Sequence, residues 1–419
     1  MKTSSWLVVP QKYLGTGGLV ALLVVGSIAT PLSLDMYTPA VPHMTEAFNT
    51  TDAMVNLTIF GYFLFFAIGL LVFGPISERY GRKRVLTICL ADYAIASALC
   101  ALSPTIEVLI GLRVLQALGA GAFCAVTTAI VKDAFTAEKR QSVLFVMQAM
   151  FVVGPVAAPV IGAIVLQFAS WRMIFWVLAL VGALCFVAVL LMKETLPVEQ
   201  RFQGSALGSL TTLGTVLKNK GFTIFLLITA IYEVAYMAYV AVASHVYITT
   251  FGCSDLEYSL FFAVAALVTA VAPFLWNIAS KVMTLRTFLC AQIVIALVSG
   301  VLMLLLGEIS AFSFCITFII FAFTEAIVRP LSTNICLTQQ KGDTGAAASL
   351  INFMRAGIGA VGMLLIVLPW PNYIVGIAWL AIITMVIALV GWVALMRSSI
   401  PLALVKTPVE ELEQVNSGK

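Results

Sequence analysis

Charge is scarce in this sequence: 10% of its 419 residues are Asp, Glu, Lys or Arg, where soluble domains carry about 25%. Hydrophobic residues make up 62%, against about 45–50% in soluble chains, which excludes a soluble globular domain. Histidine is nearly absent. His43 and His245 are the only two, and no metal cluster can be built from them at recognisable spacing. The eight cysteines include no CxxC pair, and Cys89, Cys100, Cys124, Cys185, Cys290 and Cys315 fall inside apolar runs as small core residues. Neither metal nor cofactor is therefore expected. No GxxxxGK[ST] loop is present, which argues against ATP-driven transport. No intramembrane nucleophile and base stand together, so an enzyme is not expected. The longest polar segment, 193–221, is too short for the extramembrane domain of a receptor or scaffold. A net charge of +4 would suggest an anionic partner in a soluble protein, but nothing here suggests nucleic-acid binding.

What the chain does have is apolar runs of about twenty residues, the length of a membrane span. Twelve are found: 16–40, 54–76, 84–102, 106–131, 142–166, 172–192, 222–247, 258–279, 286–307, 310–333, 344–367 and 373–396. The first is too long for a signal-peptide core and is expected to stay as an anchor. The one long polar connection follows the sixth run, so the chain divides into residues 1–193, a linker 194–221, residues 222–397 and a tail 398–419. With the N-terminus inside, nineteen Lys and Arg fall in cytoplasmic segments, from Lys2 to Lys419, and only Arg172 falls in an outer loop. That asymmetry places both termini in the cytoplasm.

The basic cluster Gly74-Pro75-Ile76-Ser77-Glu78-Arg79-Tyr80-Gly81-Arg82-Lys83-Arg84 lies between two spans, and its glycines and proline predict a tight reversal there. Glu78 and Arg82 are expected to tie the second and third spans to neighbouring helix ends as a latch; the alternative is a cluster that only sets topology. Charges inside spans are costly and normally face a cavity or a partner. Asp35 lies about 8 Å below the outer surface and Arg113 about 10 Å, which allows a pair whose separation would favour proton uptake by Asp35. The alternative has Asp35 satisfying backbone freed by Pro31 and Pro39 while Arg113 reaches to the interface. Asp92 could share that cavity or bond a neighbouring helix.

In the second half, Glu233 and Arg355 both fall near the midplane and can be partners, while Glu325 and Arg329 can pair locally at i and i+4. Tyr232, Tyr236 and Tyr239 share a helical stripe beside Glu233, an arrangement that suits a lipophilic and even cationic ligand, or ordinary helix packing. In span 5, Gly154, Ala158 and Gly162 place small residues every four positions for close helix contact, and Pro155 and Pro159 bend the span.

Gly74-x-x-x-Glu78-Arg79-x-Gly81-Arg82-Lys83 resembles the loop signature of the major facilitator superfamily, with Glu78 where Asp is usual. The run from Leu109 through Arg113 and Gln116 to Gly121 resembles the family's fourth-span motif, and Gly154-Pro155 to Pro159 and Gly162 is similar to its antiporter motif. Asp35-Met36-Tyr37-x-Pro39, with Trp171-Arg172 and Glu194-Thr195-Leu196, resembles the bicyclomycin and chloramphenicol resistance branch of drug:proton antiporters. The resemblance implies an all-α membrane protein of twelve transmembrane helices in two six-helix bundles, resident in a bacterial inner membrane. It implies proton-coupled efflux of a small lipophilic substrate by a monomer, with Arg113 in proton coupling; the in-span charges and aromatics read above add Asp35 and Asp92 to proton coupling and Tyr37, Glu233, Arg355 and the tyrosine stripe to substrate binding. A metabolite or siderophore-like cargo on the same fold is the alternative. One proton crossing 100 mV supplies about 2.3 kcal/mol. A tenfold gradient of a neutral drug needs only about 1.4 kcal/mol.

Overall fold

A chain with so few polar side chains must satisfy its backbone groups internally, and in a bilayer only helices or a closed barrel do so. The computed structural model, which describes residues 6–201, 214–340 and 344–406, is helical, with one isolated bridge between Leu7 and Phe135. Lys2, Lys341, Lys419, the linker stretch 202–213 and the tail from 407 lie outside the described residues. The helices are α1 (Gly15–Asp35), α2 (Val41–Ala47), α3 (Asp52–Tyr80), α4 (Arg82–Leu102), α5 (Ile106–Ala134), α6 (Ala137–Phe168) and α7 (Arg172–Leu191). There follow α8 (Lys220–Ala230), α9 (Tyr232–Ser244), α10 (Asp255–Val271), α11 (Leu275–Ala279), α12 (Leu285–Leu306), α13 (Ala311–Gln339), α14 (Thr344–Leu365) and α15 (Tyr373–Arg397). Among the described residues ten helices are long and apolar enough to cross a membrane, or eleven if the bent pair Gly15–Ala29 and Pro31–Ala47 is one span.

Side-chain caps set several helix starts. Thr51, Thr105, Thr284, Ser310 and Asn372 each accept the backbone N–H three residues on, covering a donor the helix cannot use. One expectation changes. The reversal does not spread over Gly74–Arg84, because α3 runs on through Gly74 and Pro75 to Tyr80. Gly81 alone makes the turn, at φ +98, a backbone region that suits glycine. The run 222–247 lies within one span, Lys220–Thr250, whose helix is interrupted: α8 ends at Ala230, α9 restarts at Tyr232, and a π-helical turn covers His245–Thr250.

The chain forms two compact units, one of Met1–Ala206 with Ser254–Ala263, the other of Leu207–Cys253 with Val264–Lys419. In the first unit, Leu19, Leu22 and Leu23 of α1 pack with Leu86, Cys89 and Leu90 of α4, Phe123 and Ile130 of α5, and Cys185 and Val189 of α7. The two cysteines are thus core residues. Across α1, helix α6 lays Gly154 against Pro31 and Gly162 against the Met36 carbonyl oxygen, so close that a Cβ at Gly162 would strike the backbone. The second unit repeats the device, with Gly359 and Gly362 of α14 set against Met237 and the Val234 carbonyl of α9. In both units a small-residue face carries the helix that bears an acid, Asp35 or Glu233.

Candidate functional site

Among the described residues Arg113 is the largest fully buried side chain, with no exposed surface. Its Nη1 donates to the Ser33 carbonyl (2.9 Å) and to Gln116 Oε1 (2.7 Å), and Gln116 Nε2 donates to Ser97 Oγ (2.8 Å). The guanidinium carbon lies 4.2 Å from the Tyr62 ring centroid, 4.7 Å from Tyr37 and 5.7 Å from Phe175. Nε and Nη2 have no hydrogen-bond acceptor. The charge is therefore held by aromatic faces, an attraction worth about 2 kcal/mol or more when desolvated.

Asp35, at the end of α1, is only 7% exposed, and its carboxylate makes no hydrogen bond or ion pair among the described residues. The expected Asp35–Arg113 pair is not formed. Arg113 takes the carbonyl two residues earlier instead, because the last turn of α1 brings Ser33 to it. Arg113 does not reach to the interface either, since it is wholly enclosed. The backbone oxygen of Asp35 accepts from Thr38 Oγ1 (2.8 Å), and Thr38 Oγ1 accepts from Tyr258 (3.0 Å). Tyr37, expected among the substrate contacts, is fully buried, with its hydroxyl on Thr58 Oγ1 (2.8 Å) and Met44 Sδ (2.9 Å). In this structure it is a wall of the arginine cage. Asp92 stands apart, facing Gly119 on α5, six residues or about 9 Å beyond Arg113.

The second unit holds a different arrangement. Arg329 Nη2 and Nε donate to Glu233 Oε1 (2.7 and 3.2 Å), and the same Nε lies 3.1 Å from Glu325 Oε1. Glu233 thus pairs with Arg329 and not with Arg355, because α13 presents Arg329 directly to α9. Arg355 donates to the Arg329 carbonyl (3.0 Å) and to Ser332 Oγ (2.5 Å). The Glu325–Arg329 pair is present, yet as one side of a bridge between helices. The Arg329 side chain is 43% exposed, while both carboxylates are nearly enclosed. Of the tyrosine stripe, Tyr239 stacks on Phe318 (3.5 Å between centroids), Tyr232 meets Phe321 (5.9 Å) and Tyr236 meets Phe318 (6.1 Å). The stripe is a packing seam between α9 and α13, with only Tyr236 half-exposed.

At the start of α4, Arg82 pairs with Asp133 at the end of α5 (2.8 Å) and with Ser77 Oγ (2.7 Å). Glu194 accepts the backbone N–H groups of Arg82 (3.1 Å) and Lys83 (3.2 Å), capping α4 with a negative charge. Glu78 is 54% exposed and reaches Arg82 only at 3.7 Å. Lys83 donates to the Leu190 carbonyl (2.8 Å), and Arg79 lies over the Tyr80 ring. The tie between helix ends exists, but Asp133 and Glu194 make it, not Glu78. Sequence reasoning missed Asp133 and Tyr62, and it reached Gln116 only as a position of the fourth-span motif, without its bond to Arg113. Pro155 and Pro159 lie inside α6, and the Pro159 carbonyl accepts from Ser259 Oγ (3.0 Å). Among the described residues no group of three or more His, Cys, Asp or Glu could hold a metal ion.

The sequence profile of the Major Facilitator Superfamily matches residues 23–363. The uncharacterized MFS-type transporter YdgK of Bacillus subtilis (strain 168) is 28% identical over 348 residues, 82% of this chain and 87% of that protein. A chloramphenicol resistance protein of Pseudomonas aeruginosa is 33% identical over 249 residues, 59% of this chain and 58% of its own length. Among solved structures, a peptide transporter, POT, in complex with sulfate superposes with a TM-score of 0.74 over 95% of this chain and 98% of that one, at 14% identity. That last likeness is one of fold alone.

Proposed function

The chain belongs to the Major Facilitator Superfamily, and on that premise we propose that it is a proton-coupled exporter of lipophilic drug-like molecules working by alternating access. The twelve-span, two-bundle reading goes with it, as do placement in a bacterial inner membrane with cytoplasmic termini and action as a monomer. Membership of the family carries the conclusion that it is not an enzyme.

One observation supports proton coupling above the rest: the first unit keeps a buried carboxylate and a buried guanidinium on adjoining elements without pairing them. Separately buried charges cost several kcal/mol each, and an ion pair or an apolar pair would hold the helices at lower cost. An arrangement kept at that cost suits a switch. In the proposed cycle a proton from outside neutralises Asp35, and Arg113 rests on the Ser33 carbonyl and the aromatic cage. Loss of the proton creates an anion two residues from that carbonyl. The guanidinium then exchanges Ser33 for Asp35, and this shift in the last turn of α1 is passed to α6 through the contacts of Gly154 and Gly162. The similarity to a chloramphenicol resistance protein supports a lipophilic drug as cargo, with Glu233, Arg329 and the half-exposed Tyr236 as its contacts.

Drug-induced proton movement in inverted vesicles tests the proposal, with a panel of neutral and cationic lipophilic compounds. Proton release from acidified vesicles that Asp35→Asn abolishes is the expected result. A wild type that never responds to any compound would give the metabolite alternative the lead.

A further inference from the structure

At the adjoining ends of α12 and α15 two arginines stand without acid partners. Arg286 lies in the first turn of α12 and Arg397 closes α15; both are exposed, and among the described residues neither makes an ion pair or hydrogen bond. Together they line an open groove of about 390 Å³ whose other walls include Thr287, Cys290, Trp392 and Val393. No acid lines it. Two guanidiniums facing one recess repel each other, and an anion between them relieves that repulsion. The first turn of α12 adds backbone N–H groups to the same end, the positive end of the helix dipole.

The groove is polar at one end only. One turn deeper its lining is Cys290 and Val393, and the same helix stripes continue as exposed apolar side chains: Val294 (42%) and Val298 (50%) on α12, Val390 (64%) and Val386 (44%) on α15. A soluble anion would use the arginines and leave these stripes idle. A molecule with a phosphate at one end and long hydrocarbon chains at the other uses both. The excess of Lys and Arg on one side of the chain puts this end at the cytoplasmic surface, where the leaflet is rich in anionic lipid.

We propose that this groove binds an anionic phospholipid of the inner leaflet, its phosphate between Arg286 and Arg397 and its acyl chains along the two valine stripes. The inference rests on the membrane orientation proposed above. The full chain in nanodiscs of phosphatidylglycerol and phosphatidylcholine, released and weighed by native mass spectrometry, tests it. The wild type is expected to retain phosphatidylglycerol in preference to phosphatidylcholine. Arg286→Gln or Arg397→Gln alone should weaken that retention roughly fivefold and the double variant roughly 30-fold. Lys281→Gln, an exposed lysine outside the groove, should leave it unchanged.

Equal retention by the double variant, or no preference over phosphatidylcholine in the wild type, would overturn the site. Displacement of the lipid by inorganic phosphate would overturn its assignment to a lipid. Drug-induced proton movement in vesicles of the same lipids separates the two proposals: its absence with lipid retention intact sinks only the export reading, and the reverse pattern sinks only this one.

Discussion

The two units solve the same problem in opposite ways. Each sets a buried acid on a helix that packs against a small-residue face: Asp35 on α1 against α6, and Glu233 on α9 against α14. Each offers an arginine from a neighbouring long helix, Arg113 or Arg329. In the second unit the pair closes, and a second carboxylate, Glu325, shares the guanidinium. In the first it stays open, with the arginine on a carbonyl and three aromatic rings and the acid unpartnered. A closed pair holds two helices together; in the proposed cycle the open one takes the proton. Equivalent layouts therefore do not imply equivalent roles, and the contrast can be broken by substitution.

The largest effect is expected at the open site. Asp35→Asn should reduce drug-induced proton movement to background with little loss of thermal stability in detergent, since no bond to that carboxylate is lost; retained coupling would end the contrast. Gly162→Val comes next. It forces a branched side chain onto the Met36 carbonyl, costs about 3 kcal/mol or more, and should lower both melting temperature and transport together. Glu233→Gln should cost about 1–2 kcal/mol, less than the loss of a fully enclosed pair, because Arg329 keeps Glu325 and is 43% exposed. A loss well above that would mean the second unit depends on its pair more than the geometry indicates. Tyr37→Phe removes the bond to Thr58 and should cost about 1 kcal/mol while leaving the ring over Arg113 and the drug panel unchanged. Smallest is Glu78→Gln, expected within about 0.5 kcal/mol in the same melting assay, whereas Glu194→Ala, which uncaps α4, should cost about 1–2 kcal/mol.

These orders of effect were only partly legible beforehand. Arg113 could be singled out because an arginine inside an apolar run is costly wherever the chain folds. Its partners could not. Depth along the helices put Asp35 and Arg113 level, but depth is one coordinate, and the rotation of α1 gives Arg113 the Ser33 carbonyl. Depth matched Glu233 with Arg355 in the same way, and the facing of α13 gave Arg329 instead. Helical spacing puts Tyr232, Tyr236 and Tyr239 on one stripe, but that their rings meet Phe318 and Phe321 depends on α13, a helix some eighty residues away. Glu78 drew attention by its place in a motif, while Asp133 and Glu194 act because helix ends meet in space.

By itself the sequence determined that the chain is helical and crosses a membrane many times, since hydropathy acts over a single run of residues whatever the neighbours. Only the tertiary structure decided which charges are paired, which ring covers which cation, and where α3 turns. Those outcomes depend on directions as well as distances: a hydrogen bond weakens steeply a few tenths of an ångström or a few tens of degrees from its optimum, and that geometry is settled by packing between helices far apart in the chain.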